Sequence, residues 1–318
     1  MTGERVAAVI PAREAERTIA DVVRGALRHC GRVIVGDDAS GDRTGDLARR
    51  AGARVIVMPR HMGKGAVLRR LFSEGWSLGA TSVVALDADG QHEPDDIPRF
   101  LEAHAKEPGA LVIGDRLAGG GQIPASRWEA QRMAGVFLRH ATGCRLADTQ
   151  CGFRLVPRAV EERCRTRAPG FAMETEFLIA AMAHGVPMVA VPIEARYAEG
   201  QTSQFRPRAD FLSIASVIAA CLLARAGLEC VGARDPLERA ARVAGAGWFR
   251  RPALALAPVL VPLVIGVAFC APGRFPVFGQ SRAGVAAFAR DCGRSLLAAA
   301  MMGAGVRLHP LGKTLPKP

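Results

Sequence analysis

Two aspartates two residues apart, Asp87 and Asp89, close the apolar run Ser82-Val83-Val84-Ala85-Leu86, and Gln91 follows two residues later. Carboxylates this close at the end of a strand repel each other unless a cation lies between them. Their hard oxygens suit Mg²⁺ or Mn²⁺ and leave coordination positions open for phosphate oxygens. An ion held so would neutralise a leaving diphosphate as its Lewis acid. Lys64, in His61-Met62-Gly63-Lys64-Gly65, and Arg116, in Gly114-Asp115-Arg116, would bring positive charge to the same group. Gly63-Lys64 is not a P-loop, because the first glycine and the following Ser or Thr are both missing. A second acidic run, Asp37-Asp38-Ala39-Ser40-Gly41-Asp42, admits two readings. Asp, Ser and Gly are ordinary turn and helix-cap residues, and they are also ligand-binding ones.

The elements that must position these groups are short, β-branched apolar runs at Val6–Ile10, Arg32–Asp37, Arg54–Met58, Ser82–Asp87 and Ala110–Asp115, with helical periodicity between them. Continuously apolar strands are buried on both faces, which predicts an α/β fold with a mostly parallel sheet flanked by helices. Ligands of such sheets bind beyond the carboxyl ends of the strands. The polar groups named above follow strand ends, as does Pro11-Ala12-Arg13-Glu14 after the first strand. Further along, Asp148-Thr149-Gln150-Cys151-Gly152-Phe153-Arg154 reads as a polar loop entering a strand. Phe171–Phe177 opens a helix that ends near Gly185, and Met188–Tyr197 reads as another strand.

The chain has 318 residues, 42 Lys+Arg against 30 Asp+Glu and a net charge of +12, so partners of opposite charge need considering. Nucleic acid is disfavoured. No zinc motif, arginine-rich arm or basic stripe with interleaved aromatics is present, and aromatics are 5%. The basic residues are 38 Arg and 4 Lys and there is no Asn, a skew that fits a GC-rich coding bias. The charge is also uneven: residues 1–210 carry +3 and residues 211–318 carry +9. The eight cysteines form no CxxC pair and predict buried free thiols, and no signal peptide is evident at the start. The N-terminal part is expected in the cytosol.

The motifs PAREAERTI, VGDDASGDRT, HMGKGAVLR, LDADGQHEPDDI, VIGDR, DTQCGFR, METEF and VPIEARY occur in the order found in family-two inverting glycosyltransferases. The chain resembles the polyprenyl-phosphate members of that family, those similar to dolichol-phosphate-mannose synthase, over roughly residues 4–210. The resemblance implies a GT-A (Rossmann-like) fold holding a nucleotide-sugar donor, a GDP- or UDP-sugar. It implies that Pro11, Ala12 and Asp38 line the nucleoside site with Lys64 near it, and that Asp87, Asp89 and Gln91 surround a Mg²⁺ or Mn²⁺ ion and the diphosphate. Arg116 and Arg154 would face the transferred group and an anionic acceptor. Glu174 and Glu176 match an acidic pair at a helix start, where they would serve either the chemistry or the helix dipole. The sequence departs from the family pattern at Arg13-Glu14-Ala15, where Tyr-Asn-Glu is usual, at His61, where Asn is common, and at Asp115, where Ser is usual.

The reaction expected is single-displacement transfer with inversion. A polyprenyl phosphate acceptor, dianionic at neutral pH, needs positioning rather than a base. A hydroxyl acceptor on a glycolipid or glycan needs a carboxylate within reach, and Asp115, Asp148 and Glu174 are the candidates. A non-catalytic nucleotide-sugar binder is the third reading, motivated by the altered segment after Ala12. The Gln-x-x-Arg-Trp segment of processive polysaccharide synthases is absent, which disfavours polymer synthesis.

Three regions are expected: a transferase domain at 1–210, an interfacial helix and linker at 211–247, and a membrane-associated region and tail at 248–318. Pro252–Gly273 is 22 residues without a charge, long enough to span a bilayer. Its four prolines leave open a kinked, re-entrant or buried segment. The apolar run Phe211–Ala224 is too short to span and is expected to lie in the interface. Together these place the enzyme on the cytoplasmic face of a membrane.

Overall fold

The computed structural model describes residues 6–118 and 146–194, with scattered positions between 135 and 143 and between 210 and 242. Seven strands form one sheet: β1 Val6–Ala12, β2 Arg32–Asp37, β3 Arg54–Val57, β4 Ser82–Ala85, β5 Leu111–Asp115, β6 Arg154–Pro157 and β7 Met188–Pro192. Their order is β3-β2-β1-β4-β6-β5-β7. Every pairing is parallel except those of β6, which runs antiparallel to both β4 and β5. The helices are α1 Ile19–Leu27, α2 Thr44–Arg50, α3 Lys64–Ser77, α4 Ile97–Lys106, α5 Arg158–Arg163 and α6 Ala172–Ala183.

The five strands predicted within the first 115 residues all form, four of them with shifted ends. β1 continues two residues further, to Ala12, and β4 stops at Ala85. Beyond β4, Leu86 still donates its N–H to the Val9 carbonyl (3.1 Å), so Asp87 leaves the sheet directly at its edge. β1, β2, β4 and β5 are buried almost throughout, which is why their apolar runs are continuous rather than alternating. The core fills both sides of the sheet, with Ile10, Ile34, Leu71, Ile97, Phe100, Leu111 and Phe153 fully enclosed.

Two topological features position the site. The chain winds from β1 outward to β3, then returns to place β4 on the other side of β1, and this reversal opens a crevice at the carboxyl edge between them. Because β6 is reversed, its first residue, Arg154, lies at that same edge, in register with Ala85 of β4 and Ile113 of β5.

Within the stretch expected at the interface, Ile214, Val217, Ile218 and Cys221 recur at helical spacing and are buried in the main core. The described cysteines (Cys30, Cys151, Cys164 and Cys221) are free and buried as expected. Burial pushes the thiols of Cys30 and Cys151 up to about 12. Among the described residues no helix is long and apolar enough to cross a membrane, and Pro252–Gly273 lies outside them.

Candidate active site

The loops after β1 and β2 are laced together. Glu14 N–H donates to Ser40 Oγ (3.1 Å), and Gly41 N–H donates to Glu14 Oε1 (2.8 Å). Ala15 N–H reaches Thr44 Oγ1 (2.7 Å), and Glu16 N–H reaches Asp42 Oδ2 (3.1 Å). Glu14 and Ala39 both take positive φ, 48° and 55°, a conformation that L-residues adopt only where surrounding contacts impose it. The altered segment after Ala12 is therefore a built loop, and Glu14 fastens it. Pro11 and Ala12 end β1 beneath this lacing, and Ala12 accepts the N–H of Asp38 (2.8 Å).

The acidic run after β2 divides its labour. Asp37 accepts the N–H of Ser40 (3.0 Å), and Asp42 accepts the N–H of Thr44 (2.9 Å), the turn and cap roles that their residue types allow. Asp38 reaches further. Its buried carboxylate accepts Met62 N–H (2.6 Å), Gly63 N–H (2.8 Å) and His61 Nδ1–H (2.8 Å). A carboxylate can only accept, so Nδ1 of His61 carries the hydrogen. Asp38 is thereby tied to the segment entering α3 and fixes where that helix starts. Gly63 precedes the helix at φ 83°, where a side chain would be strained.

Lys64, the first residue of α3, is the hub. Its ammonium lies 2.5 Å from Asp87 Oδ1, 3.2 Å from Glu174 Oε1 and 5.1 Å from the centroid of the Phe171 ring. Burial alone would lower its pKa, but the two carboxylates outweigh burial and hold it above the ordinary lysine value. Burial of Asp87 opposes ionisation too. Lys64, with His92 and Arg116 adding to it, nevertheless brings the Asp87 carboxyl down to about 2. Gly152 closes the far side: a Cβ there would stand 2.5 Å from Asp87 Oδ2 and 2.9 Å from Lys64 Nζ. Only glycine lets the 148–154 loop lie this close.

Arg116 and Asp148 form a buried fork. Arg116 Nε donates to Asp148 Oδ2 (2.6 Å) and Nη2 to Oδ1 (3.0 Å), while the backbone N–H of Arg116 also points at Oδ2 (3.3 Å). Arg154, expected to face the transferred group and acceptor, is held in the protein by backbone carbonyls. Its guanidinium donates to three backbone carbonyls, of Cys151 (2.8 Å), Glu174 (3.0 Å) and Thr149 (3.2 Å). It clasps the 148–154 loop to the start of α6. Asp115 accepts the N–H groups of Leu117 and Ala118 (2.9 and 3.1 Å) and caps the turn after β5. Glu176 likewise accepts from Arg167 and Ala168 (2.9 and 2.5 Å), so the two glutamates of α6 differ: Glu174 faces Lys64 and Glu176 braces the preceding loop.

Asp87 and Asp89 are both half-buried at the strand end, and Asp89 Oδ1 accepts the N–H of Gln91 (3.0 Å). Among the described residues no set of three or more His, Cys, Asp and Glu side chains converges as a metal cage. Asp87 and Asp89 offer two half-buried carboxylates, hard oxygen donors of the kind Mg²⁺ and Mn²⁺ take.

Two residues within the motifs named above have roles that local pattern did not reveal, His92 and Gly152. His92 is buried against Phe153 (ring centroids 5.4 Å), its Nε2 lies 3.8 Å from Cys151 Sγ, and its Nδ1 has no partner among the described residues. Burial holds its pKa down to about 4 despite the pull of Asp87. Its position directly after Gln91 was the available signal.

A family model described as "Glycosyl transferase family 2" matches residues 7–165. The polyprenol monophosphomannose synthase of Mycolicibacterium smegmatis is 32% identical over 206 residues, covering 60% of this chain and 77% of that one. The undecaprenyl-phosphate mannosyltransferase of Micrococcus luteus is 34% identical over 174 residues, covering 51% and 70%. Among solved structures, glucosyl-3-phosphoglycerate synthase from Mycobacterium tuberculosis, in complex with Mn²⁺, UDP and phosphoglyceric acid, superposes with a TM-score of 0.55 at 24% identity. That match covers 70% of this chain and 78% of the other, a likeness of fold.

Proposed function

We propose that this chain, which belongs to glycosyl transferase family 2 and is a glycosyltransferase, moves a sugar from a nucleoside diphosphate donor to a polyprenyl phosphate at a membrane, with inversion at the anomeric carbon. The observation that carries the choice of acceptor is the state of the carboxylates. A hydroxyl acceptor needs a base, yet Asp148 gives both oxygens to Arg116, Glu174 is paired with Lys64, and Asp115 caps a turn. A phosphate acceptor needs none, because it already carries its negative charge. The names of the two mannosyl-transferring relatives agree with this acceptor.

In this reading an acceptor phosphate oxygen attacks the anomeric carbon as the bond from that carbon to the donor diphosphate breaks. The nucleoside diphosphate leaves, and no proton changes hands. Arg116 is the catalytic residue that meets the acceptor phosphate. Asp148 is a positioning residue that locks the guanidinium plane, because a forked pair fixes orientation as well as charge. Arg154 positions the same loop from beneath. Pro11, Ala12 and the lacing through Glu14 and Asp38 form the wall for the nucleoside. Asp87 and Asp89, with Gln91 beside them, would hold Mg²⁺ or Mn²⁺, which when bound offsets the charge building on the leaving diphosphate. The solved relative crystallised with Mn²⁺ and UDP is consistent with such an ion. Residues 211–318, with their +9 charge and the uncharged Pro252–Gly273 segment, would hold the enzyme on the cytoplasmic face, where anionic lipids attract basic segments.

The test supplies membranes containing the protein with labelled GDP-mannose, UDP-glucose and UDP-N-acetylglucosamine, undecaprenyl phosphate, and Mg²⁺ or Mn²⁺. Metal-dependent label in the lipid phase, lost in Asp89→Ala, is the expected result. Transfer undiminished in Asp89→Ala overturns the role of the ion. Label that reaches only hydroxyl acceptors overturns the acceptor.

A further inference from the structure

The Asp87 side chain is 27% exposed, and its carboxylate has one close charged partner and one close backbone neighbour. Oδ1 holds the Lys64 ammonium at 2.5 Å, and Oδ2 faces the α-carbon of Gly152 so closely that no side chain fits between them. A divalent ion that takes Oδ1 of this carboxylate competes with the Lys64 ammonium for it. The ammonium has a second anchor already in place, Glu174 at 3.2 Å on the first turn of α6, and the Phe171 ring beneath it. Lys64 is thus suspended between a carboxylate at the end of β4 and another on a separate element, and a small swing toward Glu174 frees Asp87 Oδ1.

A divalent ion and an ammonium crowded onto one half-buried carboxylate repel each other strongly, since the local dielectric is well below that of water. An anion between them removes that repulsion, and a diphosphate has oxygens enough to face both. Resting on the donor-site reading above, we propose that Lys64 is the resident cation of Asp87 in the empty enzyme and yields that carboxylate to the divalent ion only when a nucleoside diphosphate arrives with it. Glu174 is the positioning residue that keeps the ammonium after the exchange. Ion and nucleotide then bind with positive coupling, and by linkage each tightens the other by the same factor, about tenfold or more.

The test counts bound Mn²⁺ from the free-ion electron paramagnetic resonance signal, with and without GDP or UDP, so it does not depend on turnover. Lys64→Met alone leaves Glu174 buried without its cation and is expected to unfold more readily. The decisive variant is therefore Lys64→Met with Glu174→Gln, which removes one charge of each sign and leaves the net charge unchanged. Expected results are weak Mn²⁺ binding to the nucleotide-free wild type, tightened about tenfold or more by one of the nucleotides. The double variant should bind Mn²⁺ without nucleotide about tenfold or more tighter than wild type does, with the nucleotide effect reduced. Unchanged nucleotide-free affinity in the double variant, with the nucleotide effect intact in wild type, overturns the exchange and leaves the donor site standing. A wild type in which neither nucleotide alters Mn²⁺ binding overturns both.

Discussion

Arg116 and Arg154 are both buried, and both stand in motifs that could address an anion, yet their partners differ in kind. Arg116 is paired with a carboxylate and Arg154 with three backbone carbonyls. Arg116→Lys keeps a charge but not the planar fork, so the KM for lipid phosphate should rise about tenfold or more, alongside the stability lost with a buried forked pair. Arg154→Ala should act chiefly on stability, costing about 1–3 kcal/mol in urea unfolding, because it strands buried carbonyls. Equal effects of the two variants on KM would contradict this division. His92 gives a pH dependence. Its folded pKa of about 4 lies below the ordinary value of 6.5, so the unfolded chain takes up a proton between those values and the folded one does not. Stability from this residue is complete above about pH 6.5 and declines as pH falls toward 4, by up to about 1.4 kcal/mol per pH unit. His92→Gln should flatten that slope in urea titrations at pH 7 and pH 5.

Helix α3 carries Lys64 at its first position, and that position is fixed by a residue from another strand end. Asp38 accepts two backbone N–H groups and one imidazole N–H from residues 61–63, so the loop after β2 sets the entry of α3. Asp38→Ala should cost about 2–4 kcal/mol, since hydrogen bonds to a charged acceptor are worth about 1.5–3 kcal/mol each and water replaces them in part. It should also raise amide exchange at Met62 and Gly63 well above that of the β1 and β4 amides. Exchange confined to wild-type rates there would show that Asp38 is not what holds the segment. Strand β6 matters in the same way. Its reversed direction delivers Arg154, and with it the Cys151-Gly152 corner, to the edge where Asp87 emerges.

The whole chain joins a near-neutral α/β domain to a basic apolar third, +3 against +9. If the latter serves a membrane, the full chain should sediment with phosphatidylglycerol vesicles, and a chain ending at residue 247 should lose most of that binding. High salt should weaken the interaction only in part, because apolar insertion is unscreened. Vesicle binding equal in both chains would move the anchor into the catalytic part. The stretch around Ile214–Cys221 shows how far sequence alone carried the organisation: its apolar spacing announced a helix, but the same stripe suits a bilayer or a core, and only packing revealed the core. The parallel sheet and the carboxylates at its edge were legible because strand burial and strand-end chemistry are local properties, written in β-branched runs and in the polar residues directly after them. The partners of Lys64, the fork of Asp148, the clasp made by Arg154 and the demand for glycine at 152 were not legible. Each joins residues 20 or more positions apart, and local pattern carries no record of which distant carbonyl or carboxylate a buried cation will meet once β6 turns back along the sheet.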